Sequence, residues 1–215
     1  MSAITPAPVL DYLSTLRPWP HPELELIAAE GAQAGLPIVH PHTGALLHTL
    51  TRAARAGRAL EIGTAIGFSG LWIATALAPD GMLITLERDT SRAAIARDHF
   101  ARAGLVDTVT VMVGDASRYL HKVAGPFDLI FQDGDKHQYE PMLDRLIELL
   151  RPGGILVTDN VLWNGEVIPG YIDAPIHEAG DTAAIAAYNQ KLARDSRVFT
   201  TFLPVGDGAA LSIKR

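Results

Sequence analysis

The nine residues EIGTAIGFS, from Glu61 to Ser69, decide the predicted fold. They join a short apolar run at 59–62, typical of a buried strand, to a helical interval at 69–78. Gly63 and Gly67 permit a tight turn between these two elements and let another part of the backbone approach closely. The stretch therefore predicts a strand, a glycine turn and a helix in direct succession.

The same alternation continues toward the carboxyl end of the chain. Further apolar runs lie at 82–86, 109–113, 127–131 and 155–158, and the helical intervals between them lie at 91–103, 116–123 and 139–150. Strands that alternate with helices pair in parallel through right-handed crossovers. The sequence thus predicts an α/β fold built on a doubly wound, mostly parallel sheet of the Rossmann-like type.

The two ends of the chain depart from this pattern. Residues 1–57 are predicted to be helical, with apolar periodicity at 23–34 and 43–56 and loop signals at 35–37 and 41–43. The irregular stretch 164–181 predicts a binding loop, and a helix at 182–194 and an antiparallel hairpin of strands at 198–203 and 209–214 follow it. We predict a single domain over 1–215, with a helical extension (1–57) and a seven-stranded α/β core (58–215).

The composition excludes several classes of function. Eighteen Lys and Arg against 24 Asp and Glu leave a net charge of −6, which argues against a dedicated nucleic-acid binder. The chain has no cysteine, so disulfides, zinc–thiolate sites and iron–sulfur clusters are excluded. The start lacks the pattern of a secretory signal, and no apolar run approaches the roughly 18 residues of a membrane span. We expect a cytoplasmic protein without a membrane partner.

Acidic residues at the ends of three successive strands suggest a cofactor. Ala65 stands where a dinucleotide-binding loop would need its middle glycine, so a pyrophosphate is disfavoured. Glu61 suits a cationic ligand, Glu87 can accept both hydroxyls of a ribose, and Asp115 is placed to contact an adenine edge. A ligand with these three parts and no phosphate is S-adenosylmethionine. The alternative is that each acid caps a helix or lies in a solvated loop, which is the better explanation for any one acid alone.

A second group of polar residues follows the fourth and fifth strands. Asp133, Asp159 and Asn160 would converge beside the cofactor, and their hard oxygen donors suit Mg²⁺. Two carboxylates without a metal would instead form a general acid/base pair, but the amide of Asn160 favours the metal. Lys136 lies three residues beyond Asp133 and could accept a proton there, or it could be a surface lysine paired with Asp135.

Four motifs carry a resemblance to a known family: EIGTAIGFS at 61–69, QDGDK at 132–136, DNVLWNG at 159–165 and LPVGDG at 203–208. Over about residues 35–215 the sequence resembles the cation-dependent O-methyltransferases, which include caffeoyl-CoA and catechol O-methyltransferases. The resemblance implies a class I methyltransferase fold and, with the apolar helical extension, a homodimer. Plant members usually have VDADK where this chain has QDGDK. The stretch HPH at 40–42 stands where relatives often have serine and an acid.

The resemblance also implies roles for individual residues. The cation, Mg²⁺ or another such as Mn²⁺ or Ca²⁺, would be held by Asp133, Asp159 and Asn160. Lys136 would be the general base, with Asp133 as its catalytic partner, and the substrate would contact Asn164 and Trp163. S-adenosylmethionine would contact Val39, Glu61, Gly63, Thr64, Ser69, Glu87, Asp115, Ala116, Asp133 and Asp135.

The leading hypothesis is a metal- and S-adenosylmethionine-dependent O-methyltransferase that acts on a small catechol-like or vicinal-hydroxy aromatic. The methyl group of S-adenosylmethionine would pass to a hydroxyl of the acceptor, and Lys136 would accept the proton of that hydroxyl. GLPIV at 35–39 and GTAIGFS at 63–69 also resemble methyltransferases that modify 5-hydroxyuridine in tRNA, an alternative that the net charge of −6 disfavours. A third hypothesis is a non-catalytic cofactor-binding protein or a dehydrogenase, which the missing dinucleotide glycines and the complete set of metal-type residues disfavour.

Overall fold

The computed structural model describes residues 4–16 and 18–215. The strands are β1 (Arg58–Ile62), β2 (Met82–Glu87), β3 (Val109–Val113), β4 (Phe127–Gln132), β5 (Leu150–Asp159), β6 (Val198–Leu203) and β7 (Ala209–Lys214). The α-helices are α1 (Ala7–Leu16), α2 (Glu23–Ala34), α3 (Pro41–Ala53), α4 (Phe68–Ala74), α5 (Thr90–Arg102), α6 (Ala116–Tyr119), α7 (Tyr139–Leu149) and α8 (Ala179–Arg194). Short 3-10 turns lie at Lys136–Gln138 and Trp163–Gly165.

The seven strands form one sheet in the order β3-β2-β1-β4-β5-β7-β6. The first five strands pair in parallel, whereas β7 runs antiparallel to both β5 and β6. This confirms the predicted doubly wound α/β sheet with an antiparallel hairpin at its end. The strand order reverses between β1 and β4, and open sheets of this kind bind ligands in the crevice at that point.

Helices cover the sheet on both faces and bury two apolar clusters. Helices α2 to α5 pack on one face around Leu47, Trp72 and Phe100. Helices α7 and α8 pack on the other face, where Leu146 and Tyr188 are buried. Successive side chains of a strand point to opposite faces, so the residues of β1 divide between the two clusters. The predicted division into an extension and a core at residue 57 stays a prediction.

Several predicted boundaries shift for identifiable local reasons. The prediction of a loop at 41–43 is wrong. Helix α3 begins at Pro41, because proline fits the first helical position and the His40 side chain provides the cap. Helix α6 ends at Tyr119, four residues before the predicted end. Strand β5 begins at Leu150 rather than at 155, with a register shift opposite β4. No helix in the described ranges is long and apolar enough to cross a membrane.

Candidate active site

A cavity of about 640 Å³ opens at the carboxyl ends of the parallel strands, in the range of small-molecule sites. The turns after β1 to β5 line it, together with the segment before α3 and the turn between β6 and β7. The predicted site residues that line the cavity are Val39, Gly63, Thr64, Ser69, Glu87, Asp115, Ala116, Asp133, Asp135, Lys136, Asp159, Asn160, Trp163 and Asn164. The fold thus brings these residues together, as the sequence predicts. Glu61 is not among them.

The turn after β1 lies directly against the turn after β4. Gly63 has a φ of +96°, and a Cβ at this position would collide with the backbone carbonyl of Asp133. Glycine is therefore required both by the backbone conformation and by the close approach. The main-chain N–H of Ala65 donates to Glu87 Oε2 at 2.8 Å, and that of Asp89 donates to Glu87 Oε1 at 2.9 Å. These bonds fix the Glu87 carboxylate at the cavity wall.

Glu61 lies behind the cavity wall, on the face of the sheet that α4 covers. Its carboxylate is fully buried and accepts hydrogen bonds from Ser69 Oγ and Thr85 Oγ1, both at 2.6 Å. Burial raises the pKa of Glu61 to about 7, although both hydroxyls oppose that rise. Since Ser69 lines the cavity and Glu61 does not, Glu61 adjoins the cavity through the Ser69 hydroxyl. Its predicted direct contact with a cationic ligand stays a prediction.

Asp115 and Asp135 each combine a capping role with a place in the cavity wall. Asp115 caps α6 by accepting from the Ser117 N–H at 2.9 Å. Hydrogen bonds, above all from the Ser117 hydroxyl, lower the pKa of Asp115. Asp135 caps the following 3-10 turn and forms an ion pair with Arg88 at 3.2 Å. The cap alternative therefore holds for both carboxylates, and both still face the cavity.

Lys136 lies at the centre of the second predicted group. Its Nζ donates to Asp133 Oδ1 at 2.9 Å, to Asn160 Oδ1 at 2.6 Å and to the hydroxyl of Tyr139 at 2.8 Å. The Lys136 side chain is 13% exposed, so it is not a surface lysine paired with Asp135. That alternative is wrong, because Asp135 pairs with Arg88 instead.

The oxygens around Lys136 fit a divalent cation. Asp159 is buried, and its Oδ1 has no hydrogen-bond partner within the part of the chain that the structure describes. Burial and the neighbouring charge of Asp133 raise the pKa of Asp159 well above its usual range. A buried carboxylate oxygen without a partner, beside a second carboxylate and an amide oxygen, belongs to a donor set suited to Mg²⁺. Residues 4–16 and 18–215 contain no group of three His, Cys, Asp or Glu side chains that could hold a metal, so this set depends on Asn160.

Two residues that the sequence analysis did not assign complete this group. Asp207, in the turn between β6 and β7, accepts hydrogen bonds from the Asn160 side chain and from the Asn164 N–H. It thereby orients the Asn160 amide, whose oxygen accepts from Lys136. Tyr139 is buried, and its hydroxyl donates to the Asp159 carbonyl at 3.2 Å. The LPVGDG motif contains Asp207 and was the available signal for it, whereas no motif pointed to Tyr139.

The predicted substrate residues lie beside Lys136. Its Nζ is 5.6 Å from the centre of the Trp163 ring. Trp163 and Asn164 have φ angles of +48° and +54°, which non-glycine residues rarely adopt. The ring of His177 stacks on Trp163 with 4.0 Å between centroids, and His177 also lines the cavity. His177 was not predicted as a site residue.

Comparisons with known proteins show which proteins this chain resembles. The family model described as O-methyltransferase matches residues 23–215. A catechol O-methyltransferase of Niastella koreensis is 37% identical over 193 residues, which cover 85% of each chain. One of Mycobacterium tuberculosis is 36% identical and covers 88% of this chain and 86% of its own. The structure of the O-methyltransferase TomG from Streptomyces achromogenes, in complex with S-adenosylmethionine, has a TM-score of 0.85 at 33% identity and covers 96% of this chain and 95% of its own.

Proposed function

This chain belongs to the family of S-adenosylmethionine-dependent O-methyltransferases, and on that premise we propose that it requires a divalent cation and methylates a small catechol-like aromatic. The observation that carries the proposal is the buried, unpartnered Asp159 Oδ1 beside the Asp133 and Asn160 oxygens, within the described residues. Oxygens of this kind are typical ligands of Mg²⁺ or Mn²⁺. Relatives described as catechol O-methyltransferases support the acceptor class.

One half of the cavity is proposed to hold S-adenosylmethionine. Glu87 presents a carboxylate that two main-chain N–H groups already orient, and it has acceptor capacity left for two ribose hydroxyls. The turn at Gly63 lets the backbone approach the ligand closely, and Asp115 and Ala116 contribute the wall after β3. When bound, this cofactor supplies the methyl group on a sulfonium, so the protein mainly has to bind and orient it.

The other half is proposed to hold the cation and the acceptor. Asp133, Asp159 and Asn160 would hold the cation, which when bound lowers the pKa of an acceptor hydroxyl. Lys136 Nζ donates to three partners here and is therefore an ammonium. After it has released one proton to solvent it would, as a neutral amine, accept the proton of that hydroxyl. Asn164 and Trp163 border the space that remains for the acceptor. Correct placement of the two reactants is the main contribution that these side chains make to the rate.

A homodimer and a cytoplasmic location are part of the proposal. Helix α1 buries none of its residues within the chain, and Tyr12 and Leu16 are 63% and 62% exposed. An apolar helix that buries none of its residues within the described part of the chain favours association with a second copy. Sedimentation velocity would test this: we expect a dimer that Leu16→Glu dissociates, and a monomeric wild type would contradict it.

Methyl transfer from labelled S-adenosylmethionine tests the proposed reaction. The acceptors would be catechol, caffeic acid, caffeoyl-CoA and hypomodified tRNA, each with Mg²⁺ and with EDTA. We expect labelling of a catechol that EDTA abolishes and that Asp133→Ala lowers by about 100-fold or more, as for loss of one electrostatic group at a reacting centre. Asp173→Asn, an exposed acid of the 164–181 loop, is the matched control and should retain wild-type turnover.

The remaining outcomes separate the parts of the proposal. Turnover of catechol that resists both EDTA and Asp133→Ala would contradict the cation requirement. Labelling of tRNA alone would replace the acceptor class with the 5-hydroxyuridine alternative, and it should then weaken as salt rises.

A further inference from the structure

The buried carboxylate of Glu166 closes the loop that follows the 3-10 turn at Trp163–Gly165. Its side chain is 1% exposed, and its Oε1 accepts from the Ile176 N–H at 2.8 Å and the His177 N–H at 3.3 Å. The same oxygen lies 2.9 Å from His177 Nδ1, and Oε2 accepts from the Thr182 hydroxyl at 3.2 Å. One carboxylate thus ties both ends of the loop together and to the first turns of α8.

The consequence of this closure is the position of the His177 ring. His177 stacks on Trp163 with 4.0 Å between ring centroids and an angle of 30° between the ring planes. Both rings line the cavity, and the Trp163 ring is 5.6 Å from Lys136 Nζ. The His177 ring therefore packs against a face of the Trp163 ring and holds that ring next to the group proposed as the base. The adjacent Ile176 also lines the cavity and adds an apolar side chain there.

We propose that Glu166 is a positioning residue that sets His177 against Trp163, and that this pair of rings is the surface that selects a planar aromatic acceptor. A flat acceptor ring packs favourably on a flat aromatic surface, and such contacts favour offset-stacked or edge-to-face arrangements. A Glu166 side chain anchored by four donors keeps this surface ordered before the acceptor arrives, so that less entropy is lost on binding. The inference rests on the proposed function, since it names what recognises the acceptor at the same site.

Four substitutions separate the role of the His177 ring from that of the Glu166 carboxylate that holds it. His177→Ala removes the stacked ring. His177→Phe keeps a ring but loses the side-chain hydrogen bond to Glu166. Glu166→Ala removes the carboxylate. Glu166→Gln retains an oxygen for the three N–H donors and an amide for the Thr182 hydroxyl, so it should restore most of the wild-type behaviour. Glu178→Gln, an exposed acid of the same loop, is the matched control.

The first measurement is the acceptor KM and the S-adenosylmethionine KM of each variant with catechol and Mg²⁺. We expect His177→Ala and Glu166→Ala to raise the acceptor KM by about 3- to 10-fold, the worth of one aromatic contact, and to change the S-adenosylmethionine KM by less than about 2-fold. His177→Phe should raise it less than His177→Ala. Equal acceptor KM values in wild type, His177→Ala and Glu166→Ala would overturn the proposal, as would parallel changes in both KM values.

The second measurement needs no acceptor and therefore separates a failure of this inference from a failure of the proposed function. Hydrogen–deuterium exchange should show the main-chain N–H groups of Ile176 and His177 protected in wild type and in Glu166→Gln, and about 10-fold faster to exchange in Glu166→Ala. Unchanged exchange in Glu166→Ala would overturn the positioning role, even if catechol proved not to be a substrate. Wild-type enzyme that methylates no catechol, with this exchange pattern intact, would contradict the proposed acceptor and not the role of Glu166.

Discussion

Replacement of Glu61 by glutamine should change how the stability of the protein depends on pH. Glu61 is fully buried between β1 and α4, and burial raises its pKa to about 7 from a usual 4.5. The folded state therefore favours the protonated carboxyl. The hydroxyls of Ser69 and Thr85 donate to the carboxylate, which stabilises its charged form and limits the rise in pKa. Glutamine has nearly the same shape and stays neutral at every pH.

The rise in pKa from 4.5 to about 7 corresponds to about 3.5 kcal/mol, at about 1.4 kcal/mol for each pH unit. Because the folded pKa of Glu61 is raised, the stability that its protonation provides is fully present below pH 4.5 and is lost as the pH rises through about 7. Glu61→Gln should show no such loss. The difference in unfolding free energy between wild type and Glu61→Gln should thus shift by about 3.5 kcal/mol in favour of glutamine between about pH 4.5 and pH 8.

Urea denaturation across this range, with EDTA present, measures that difference. Any hydrogen bond that glutamine makes less well gives a constant offset, and the titration of the other carboxylates is common to both proteins and cancels. Ser69→Ala is the informative second variant, because it removes a hydrogen bond that lowers the pKa of Glu61 and should move the loss to higher pH. Parallel stability profiles for wild type and Glu61→Gln would refute the reasoning.

Three further predictions concern the cavity itself. Gly63→Ala should lower the unfolding free energy by roughly 1–3 kcal/mol and weaken S-adenosylmethionine binding in calorimetry. Gly35→Ala is the control: Gly35 has a φ of +62° with open space around it, so this variant has the backbone strain without the collision. Asp207→Ala should weaken Mn²⁺ binding by about 10-fold in calorimetric titration, because the Asn160 amide then loses the carboxylate that accepts its hydrogen bond; unchanged affinity would contradict this. Lys136→Met should bind Mn²⁺ at least as tightly as wild type while its turnover falls by about 100-fold or more; weaker Mn²⁺ binding would show that Lys136 helps to hold the cation.

The architecture could be predicted from the sequence because its periodic signals are local. The strands at Val109–Val113, Val198–Leu203 and Ala209–Lys214 have the predicted bounds, since short apolar or β-branched runs with clear turn residues define them. Helix starts were predicted less well. They depend on caps such as His40 before α3, and on the tolerance of Pro41 at the first helical position, which no apolar period reveals.

The residues of the candidate site likewise divide into those that local sequence signals predict and those that tertiary packing positions. Residues that follow the parallel strands were brought together as predicted, because the carboxyl ends of those strands meet at one edge. Three residues were not assigned, because tertiary packing sets the position of each. Asp207 and His177 reach the cavity from a hairpin turn and a long loop, and Tyr139 reaches Lys136 from the start of α7. Glu61 was expected at the cavity, but strand alternation places it on the same face as Ala59, under α4.

The carboxylates of the second group are costly to the fold and useful to the site for the same reason. Burial and neighbouring carboxylates raise the pKa of Asp159, and burial raises that of Asp207, so the folded protein disfavours their charged forms. The ammonium of Lys136 donates to Asp133 and Asn160, and it offsets only part of the cost of burying these negative charges close together. A divalent cation among the same oxygens would compensate more charge than one ammonium does, so the group that destabilises the fold is the one that should bind such a cation tightly. The cation and Lys136 would share the oxygens of Asp133 and Asn160 as partners. A bound cation would therefore free Lys136 Nζ from these oxygens, next to the place where the acceptor loses its proton.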